Sequence, residues 1–199
     1  MLIISGLNIA FDVASPSYVI LGVIWCVVIL FALDGLFAII VRFLPNKWFL
    51  PDNPAFNVSN FERKLYRKIK VRRWKDKVWE LGGLGGFSKS RVEEPNNPKY
   101  IERFIIECNK GVLTHRLAYL PSFLVMLTFF NRCAFTIALP AALVNIFLSI
   151  LPTIVLRYNT PMLKSVLARL KRREAKEAER ALSDGGESVM ETEKETVSV

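Results

Sequence analysis

Apolar and polar residues are strongly segregated along this chain of 199 residues. Val19 to Val41 reads VILGVIWCVVILFALDGLFAIIV, with Asp34 as its only charge. A helix needs ~20 such residues to cross a bilayer core, so the run predicts a first transmembrane helix over 18–43. It does not read as a signal peptide, which carries positive charge ahead of a shorter apolar stretch. Here the first Lys or Arg is Arg42, behind the run. A second block, LAYLPSFLVMLTFF from Leu117 to Phe130, is short for a span, and Gly111 to Thr114 extend it. Asn131 and Arg132 break it, and a third block from Cys133 to Leu156 is long enough to cross with some tilt. Pro121, Pro140 and Pro152 lie within these blocks, where neighbouring helices must satisfy the carbonyls that proline frees. Residues 111–156 thus form two transmembrane helices or a re-entrant hairpin. Asp34 either faces a partner in the bundle or sits near enough to one end to reach headgroups.

The intervening segments are polar and basic. Pro45-Asn46-Lys47-Trp48-Phe49 ends the first helix and supplies a Lys–Trp interfacial anchor. Pro51-Asp52-Asn53-Pro54 is a turn. Residues 61–79, FERKLYRKIKVRRWKDKVW, hold nine Lys or Arg in nineteen positions. Phe61, Leu65, Ile69 and Val78, with Trp74 between, approximate a helical apolar stripe. Such a basic amphipathic helix lies on an anionic membrane surface, and the same charge serves as a topology determinant. Gly82-Gly83-Leu84-Gly85-Gly86 is a flexible break, with neither the GxxxxGK(S/T) nor the GxGxxG spacing of a phosphate loop. Residues 87–98 form a polar loop. A helix then starts after Pro98 and runs through Ile101, Phe104, Ile105 and Cys108. Behind the third block, Pro161 starts an amphipathic helix. Met162, Leu163, Val166, Leu167 and Leu170 form its apolar face, and Lys164, Arg169, Lys171, Arg172 and Arg173 its polar side. It is expected to lie along the membrane interface. The acidic, polar residues 183–199 are expected to be disordered.

Charge orients these pieces. The net charge is +9, with no Lys or Arg before Arg42, a dense run from Arg42 to Arg116, and another after Leu156. Only Arg132 lies between the second and third blocks. The positive-inside rule then puts residues 1–17 outside, 44–110 in the cytoplasm or at its interface, the hairpin tip outside and 157–182 in the cytoplasm. The expected fold class is an all-α integral membrane protein of the cell membrane, with about three transmembrane helices plus interfacial amphipathic helices. A nucleic-acid partner, the other usual destination of such charge, is not expected for a membrane-tethered chain without a recognised nucleic-acid motif.

The chemistry-bearing residues are few. Cys26, Cys108 and Cys133 are irregularly spaced without a CxxC pair, and His115 is the single histidine, so neither a disulfide framework nor a metal site is expected. Three polar clusters fall near the cytoplasmic interface: Arg72-Arg73-Trp74-Lys75-Asp76, Glu107 with His115, and Arg157-Tyr158-Asn159. Glu107 and His115 are eight residues apart, about 12 Å along a continuous helix at 1.5 Å per residue, and pair directly only if the helix breaks near Gly111. The His-then-Asp pattern of soluble glycerolipid acyltransferases is absent, since Leu120 stands five positions after His115, and there is no GxSxG elbow.

Four segments nevertheless resemble one family in order and spacing: Pro45-Asn46-Lys47-Trp48-Phe49, VRRWKDK at 71–77, FIIECNKGVLTH at 104–115 and IVLRYNTPMLKSVLARLKRR at 154–173. Together they resemble the glycosyl-4,4'-diaponeurosporenoate acyltransferases, membrane enzymes of the staphyloxanthin pathway, over roughly residues 44–173. The resemblance implies transfer of a fatty acyl chain to a sugar hydroxyl of a membrane glycolipid. It matches His115 to the histidine of the family's AExxHW stretch, Arg72, Trp74 and Lys75 to its RxWK stretch, and Arg157, Tyr158 and Asn159 to its QRYNR stretch. This chain departs at Val112, where the acid belongs, at Arg116 in place of Trp, and at Leu156 and Thr160 around RYN. An acid that orients His115 must therefore come from elsewhere, with Glu107 the candidate. The expected partners are membrane lipid, a glycolipid acceptor and an acyl donor such as acyl-CoA, a substrate rather than a bound cofactor. In this scheme His115 is the base, Asn159, Tyr158 or an arginine holds the oxyanion, and Arg72, Arg73 and Lys75 hold donor phosphates. The competing expectation is a non-catalytic scaffold or accessory subunit of a lipid-modifying complex, suggested by the small size and the altered surroundings of His115. A different membrane enzyme, such as a lipid reductase or methyltransferase, is a third, with no dinucleotide fingerprint to favour it.

Overall fold

The computed structural model describes residues 15–78, 92–129 and 134–196, with side chains described through residue 180. The glycine break at 82–86, Cys133 and the predicted hairpin tip at Arg132 lie outside these segments. Among the described residues every regular element is helical.

Helix α1 spans Pro16–Phe43. Ser15 caps it by accepting from the Tyr18 N–H, and Pro16 occupies the first turn, where its missing donor is not needed. It ends just ahead of Pro45, as expected. Its 28 residues make about 42 Å of rod at 1.5 Å each, and its large apolar side chains are mostly exposed, Phe31 at 71% and Leu21 at 64%. Short 3-10 turns follow at Asn46–Phe49 and Pro54–Phe56.

The basic segment does not form the single helix expected over 61–79. Helix α2, Asn60–Lys68, begins with a capping box: the Ser59 hydroxyl accepts from Glu62 N–H, and Glu62 accepts from Ser59 N–H. It stops where Lys70 turns left-handed, with φ of 52°. That conformation lets Lys70 N–H reach the Arg67 carbonyl at 3.1 Å, a helix-ending bond. The short α3, Val71–Trp74, and a 3-10 turn at Lys75–Lys77 follow. Trp74 Nε1 donates to the Ile69 carbonyl at 3.0 Å and holds the corner closed.

Helix α4, Pro98–Leu117, is capped by the Asn97 side chain. Helix α5, Tyr119–Leu124, and a 3-10 turn at Val125–Thr128 continue it, so the second apolar block is built from short pieces rather than one span. Pro121 is the physical reason: it cannot donate to the Leu117 carbonyl. A π turn at Ala134–Ala138 leads into α6, Leu139–Thr196, one continuous helix of 58 residues. The separate amphipathic helix expected to start at Pro161 is therefore corrected. Pro161 removes one ladder bond without ending the helix, and the Thr160 and Ser165 hydroxyls bond carbonyls one turn back at 2.8 and 2.9 Å. The backbone is also helical to Thr196, where a disordered tail was expected. A growing helix adds residues without a new nucleation cost, which carries it through the poor helix formers Gly185 and Gly186 into the Glu- and Lys-containing end. Two helices, Pro16–Phe43 and Ala134–Arg180, contain stretches long and apolar enough to cross a membrane.

α4 and α6 run antiparallel. Lys171 pairs with Glu102 at 2.8 Å near one end, and Asn145 Nδ2 reaches the Ala118 carbonyl at 3.3 Å near the other. Between them lies a core of Ile101, Phe104, Ile105, Cys108 and Val112 against Leu156, Leu163, Leu167 and Leu170. The apolar stripe after Pro161 is thus buried on α4 rather than spent on a membrane surface. A second core joins α1 to the π turn and the start of α6, through Val19, Cys26, Leu30, Ile137, Ala138, Ala141 and Ala142. Gly22 allows this approach: a Cβ there would sit 3.3 Å from Ile137 Cδ1. The end of α1 is tied to α4 through Asn109 Nδ2, which donates to the Phe49 carbonyl at 2.8 Å, and Lys110 Nζ, 3.4 Å from the Arg42 carbonyl.

One polar clasp fixes α2 on α6. Arg157 Nε and Nη2 donate to the two Glu62 oxygens, both at 2.8 Å, and Nη2 also reaches the Asn57 carbonyl at 2.9 Å. Arg157 is 7% exposed and Glu62 26%. Arg157 holds the Glu62 carboxyl well below its ordinary 4.5, to about 2, with help from the Ser59 N–H and the Tyr66 hydroxyl. A depressed carboxyl stabilises the folded state above its unfolded pKa, and that contribution is lost as pH falls from about 4.5 to about 2. Removing one partner of such a pair costs about 3 kcal/mol. Glu62→Gln should therefore melt well below the native protein at pH 7, and Arg157→Lys, which cannot form the fork, should not restore it. Thermal denaturation in detergent between pH 7 and pH 3 should show the gap between native protein and Glu62→Gln narrowing on acidification.

Candidate functional site

Four consecutive α6 positions carry the densest polar chemistry. Leu156 is buried in the core, Arg157 is held in the clasp, and Tyr158 and Asn159 are half-buried. The Tyr158 ring meets that of Tyr66 edge-on, with centroids 6.4 Å apart. Tyr66 in turn donates to Glu62 at 3.2 Å, so the clasp and the ring pair form one unit. Next along the helix, the buried Thr160 hydroxyl is committed to the Leu156 carbonyl. Lys164, one turn on, donates from Nζ to Asn57 Oδ1 at 2.8 Å. Asn57, Val58, Arg63, Thr160, Pro161 and Lys164 line a cavity of about 260 Å³ beside this unit. Burial holds Lys164 below its ordinary pKa of 10.5. Asn159 makes no side-chain hydrogen bond among the described residues.

The other sequence-predicted residues sit elsewhere on this scaffold. Arg72 and Arg73 are exposed on α3, whose Val71 is fully buried where α3 lies against α6. Trp74 is half-buried and spends its indole N–H on the Ile69 carbonyl. Lys75 is paired with its neighbour Asp76 at 3.2 Å. Glu107 and His115 are both half-buried on α4, which runs unbroken through Gly111. Their separation of about 12 Å along the axis excludes a direct bond. His115 also lies five residues past Lys110, the level of Arg42, which is about 8 Å further toward the apolar blocks. Val112, where the resemblance expects an acid, is 1% exposed inside the core.

Glu62, Tyr66, Asn57 and Lys164 are the site's unanticipated members. Ser59 followed by Glu62 is a capping-box spacing, a visible signal for a helix start. Nothing in the spacing shows that the same carboxylate reaches across 95 positions to Arg157.

The surface of α2 points away from the clasp. Phe61 is 74% exposed, and Leu65 and Ile69 are exposed one and two turns further on, among Arg63, Lys64, Arg67 and Lys68. The Phe61, Leu65 and Ile69 part of the expected apolar stripe therefore exists and is left uncovered by the other described residues, while Trp74 and Val78 are half-buried beyond the corner. Among the described residues no group of His, Cys, Asp and Glu could hold a metal ion.

Comparison with known proteins bears on this arrangement. The family model described as glycosyl-4,4'-diaponeurosporenoate acyltransferase matches residues 45–169. That range begins just behind α1 and covers the clasp, α4 and the polar stretch of α6. Glycosyl-4,4'-diaponeurosporenoate acyltransferases of three Staphylococcus aureus strains, bovine RF122 / ET3-1, MRSA252 and N315, are each 31% identical over 138 residues. The match takes in 65% of this chain and 78% of each relative. No solved structure matches the chain. By the family model and these relatives together, the chain belongs to the glycosyl-4,4'-diaponeurosporenoate acyltransferase family and is an acyltransferase.

Proposed function

We propose that this acyltransferase works at the cytoplasmic face of the cell membrane, moving a fatty acyl chain from an activated donor, such as acyl-CoA, to a hydroxyl of a glycolipid-like acceptor. The observation that carries the reading is the Arg157–Glu62 clasp. It fastens a basic, amphipathic surface helix to the polar stretch of α6, at the end of two helices long and apolar enough to span. A water-soluble donor and a lipid acceptor can meet only at such a boundary. The exposed apolar side chains of α1 suit lipid, and Phe61, Leu65 and Ile69 suit insertion among headgroups while the surrounding cations contact anionic lipid. The charge pattern supports α1 entering from outside, with the basic segments and the end of α6 inside.

In this reading His115 takes the proton of the acceptor hydroxyl. The acceptor oxygen attacks the acyl carbonyl, the carbon–sulfur bond breaks, and the thiol leaves with the proton returned by His115. The half-buried Asn159 amide and Tyr158 hydroxyl lie roughly nine α6 positions, about 14 Å, from the level of His115, so they hold a polar part of the donor away from the reacting carbonyl rather than the oxyanion formed there. Arg157, already committed to Glu62, contributes by holding this stretch in place and adding positive potential. Glu107, more than two turns from His115, acts on it through the field rather than by contact. The cations of the 72–75 segment attract an anionic donor to the surface.

His115→Ala should lower turnover by about 10²–10⁴, the usual contribution of a general base, while the protein still enters the membrane fraction and keeps its Tm. Acyl transfer to a total glycolipid extract, followed with labelled acyl-CoA, checks this, and unchanged turnover would remove His115 from the chemistry. Replacing Phe61, Leu65 and Ile69 together by Ser should lower activity toward acceptor when the protein is reconstituted in anionic vesicles. It should leave activity in detergent micelles near native. Equal losses in both settings would speak against a membrane-docking role.

A further inference from the structure

We infer that the cavity between α2 and α6 binds a phosphate group of the ligand, with Arg63 and Lys164 as its two cations and Asn57 as the residue that positions Lys164. Cations outnumber acids at this cavity: Asp52 acts on Lys164 through space only, with no ion pair between them among the described residues. Neither Arg63 nor Lys164 forms an ion pair among the described residues, although both line the same cavity of about 260 Å³. Glu62, the nearest acid on α2, is consumed by Arg157. Lys164 is half-buried, and its only hydrogen-bond partner among the described residues is the neutral Asn57 Oδ1. Accepting from Lys164 leaves the Asn57 amide N–H groups as further donors, whereas the Thr160 hydroxyl is turned to the Leu156 carbonyl. The wall therefore offers cationic and neutral donors with no carboxylate among its lining residues, the inventory suited to an oxyanion with several acceptor oxygens.

Size narrows the class. The cavity is below the ~300–1,000 Å³ that encloses a drug-sized ligand, so it takes the charged end of a molecule rather than the whole. Position narrows it again: Lys164 and Thr160 stand within a turn or two of Tyr158 and Asn159 on α6. A phosphate held here lies beside the polar stretch that the acyl-transfer reading uses. The inference rests on that reading for the identity of the donor, but not for the chemistry of the pocket. The same phosphate chemistry could come from a nucleotide-bearing thioester donor or from a phospholipid headgroup. The prediction from sequence that Arg72, Arg73 and Lys75 hold this phosphate is replaced. None of the three lines this cavity, and Lys75 is paired with Asp76.

The test is calorimetric titration of free CoA into the full-length protein in phosphatidylcholine nanodiscs, with native, Arg63→Gln and Lys164→Gln proteins. Gln at 164 keeps a donor for Asn57, and unchanged Tm values would show that both variants are folded. CoA should bind the native protein, inorganic pyrophosphate should compete, and each variant should bind at least tenfold more weakly, the usual size of a lost charge-assisted hydrogen bond. Equal CoA binding by all three proteins would overturn the pocket while leaving the donor reading intact. If the native protein ignores CoA but retains phosphatidylglycerol doped into the nanodiscs, and the variants do not, the pocket stands with a lipid phosphate as its occupant and the soluble donor is wrong. Retention of neither ligand by the native protein would overturn the pocket, and labelled acyl transfer by that same preparation would decide the fate of the enzymatic reading separately.

Discussion

The arrangement depends on one buried ion pair. Arg157 is almost wholly removed from solvent on a helix whose preceding two dozen positions are nearly all apolar. A lone guanidinium there would be prohibitively costly, and Glu62 neutralises it with a two-pronged match. Everything nearby follows. The capping box that starts α2 also aims its Glu62, the Tyr66 hydroxyl completes the acid's hydrogen bonding, and the Tyr66 ring backs Tyr158. A polar interaction is an unusual choice for the principal joint between two elements, because it contributes little net stability over an apolar contact. What it adds is a defined register: the fork fits in one orientation only, and it sets which residues of α2 and α6 share a cavity.

Much of this was readable in the chain before any coordinates. The apolar run from Val19 to Val41 gives α1 nearly to the residue, and Asn97-Pro98 gives the start of α4, because caps and prolines are local signals. The stripe of Phe61, Leu65 and Ile69 is also real. Errors arose where a local signal met a tertiary one. Pro161 looks like a helix start, but burial of Leu163, Leu167 and Leu170 against α4 outweighs the one ladder bond it removes. The run of cations at 61–79 looks like one helix, but Lys70 turns left-handed and Trp74 locks the corner.

The site was legible in part for the same reason. Arg157-Tyr158-Asn159 stands out as a polar triplet at the end of an apolar block, and the structure makes it a centre of packing. Its partners come from positions about a hundred residues earlier, and no spacing rule connects Asn57 to Lys164 or Glu62 to Arg157. The substituted positions gain meaning only with the fold in view. Val112 and Leu156 are both core residues, so at two of the four places where this chain departs from its family's pattern it packs hydrocarbon, whereas Arg116 is exposed and Thr160 bonds the Leu156 carbonyl.

The continuity of α6 has a mechanical side. At 1.5 Å per residue its 58 residues make a rod of about 87 Å, while a bilayer core is only ~30 Å thick. Its ladder loses donors inside the helix at Pro152 and Pro161, and the apolar stretch runs into the stretch bearing the polar triplet as two arms of one rod. In a membrane, the angle of the embedded arm is set by how its apolar length matches the local hydrocarbon thickness. A change in lipid chain length would then swing the outer arm and raise or lower the polar triplet against the headgroup layer. On the proposed membrane placement, bilayer thickness sets the height at which that triplet meets its substrates.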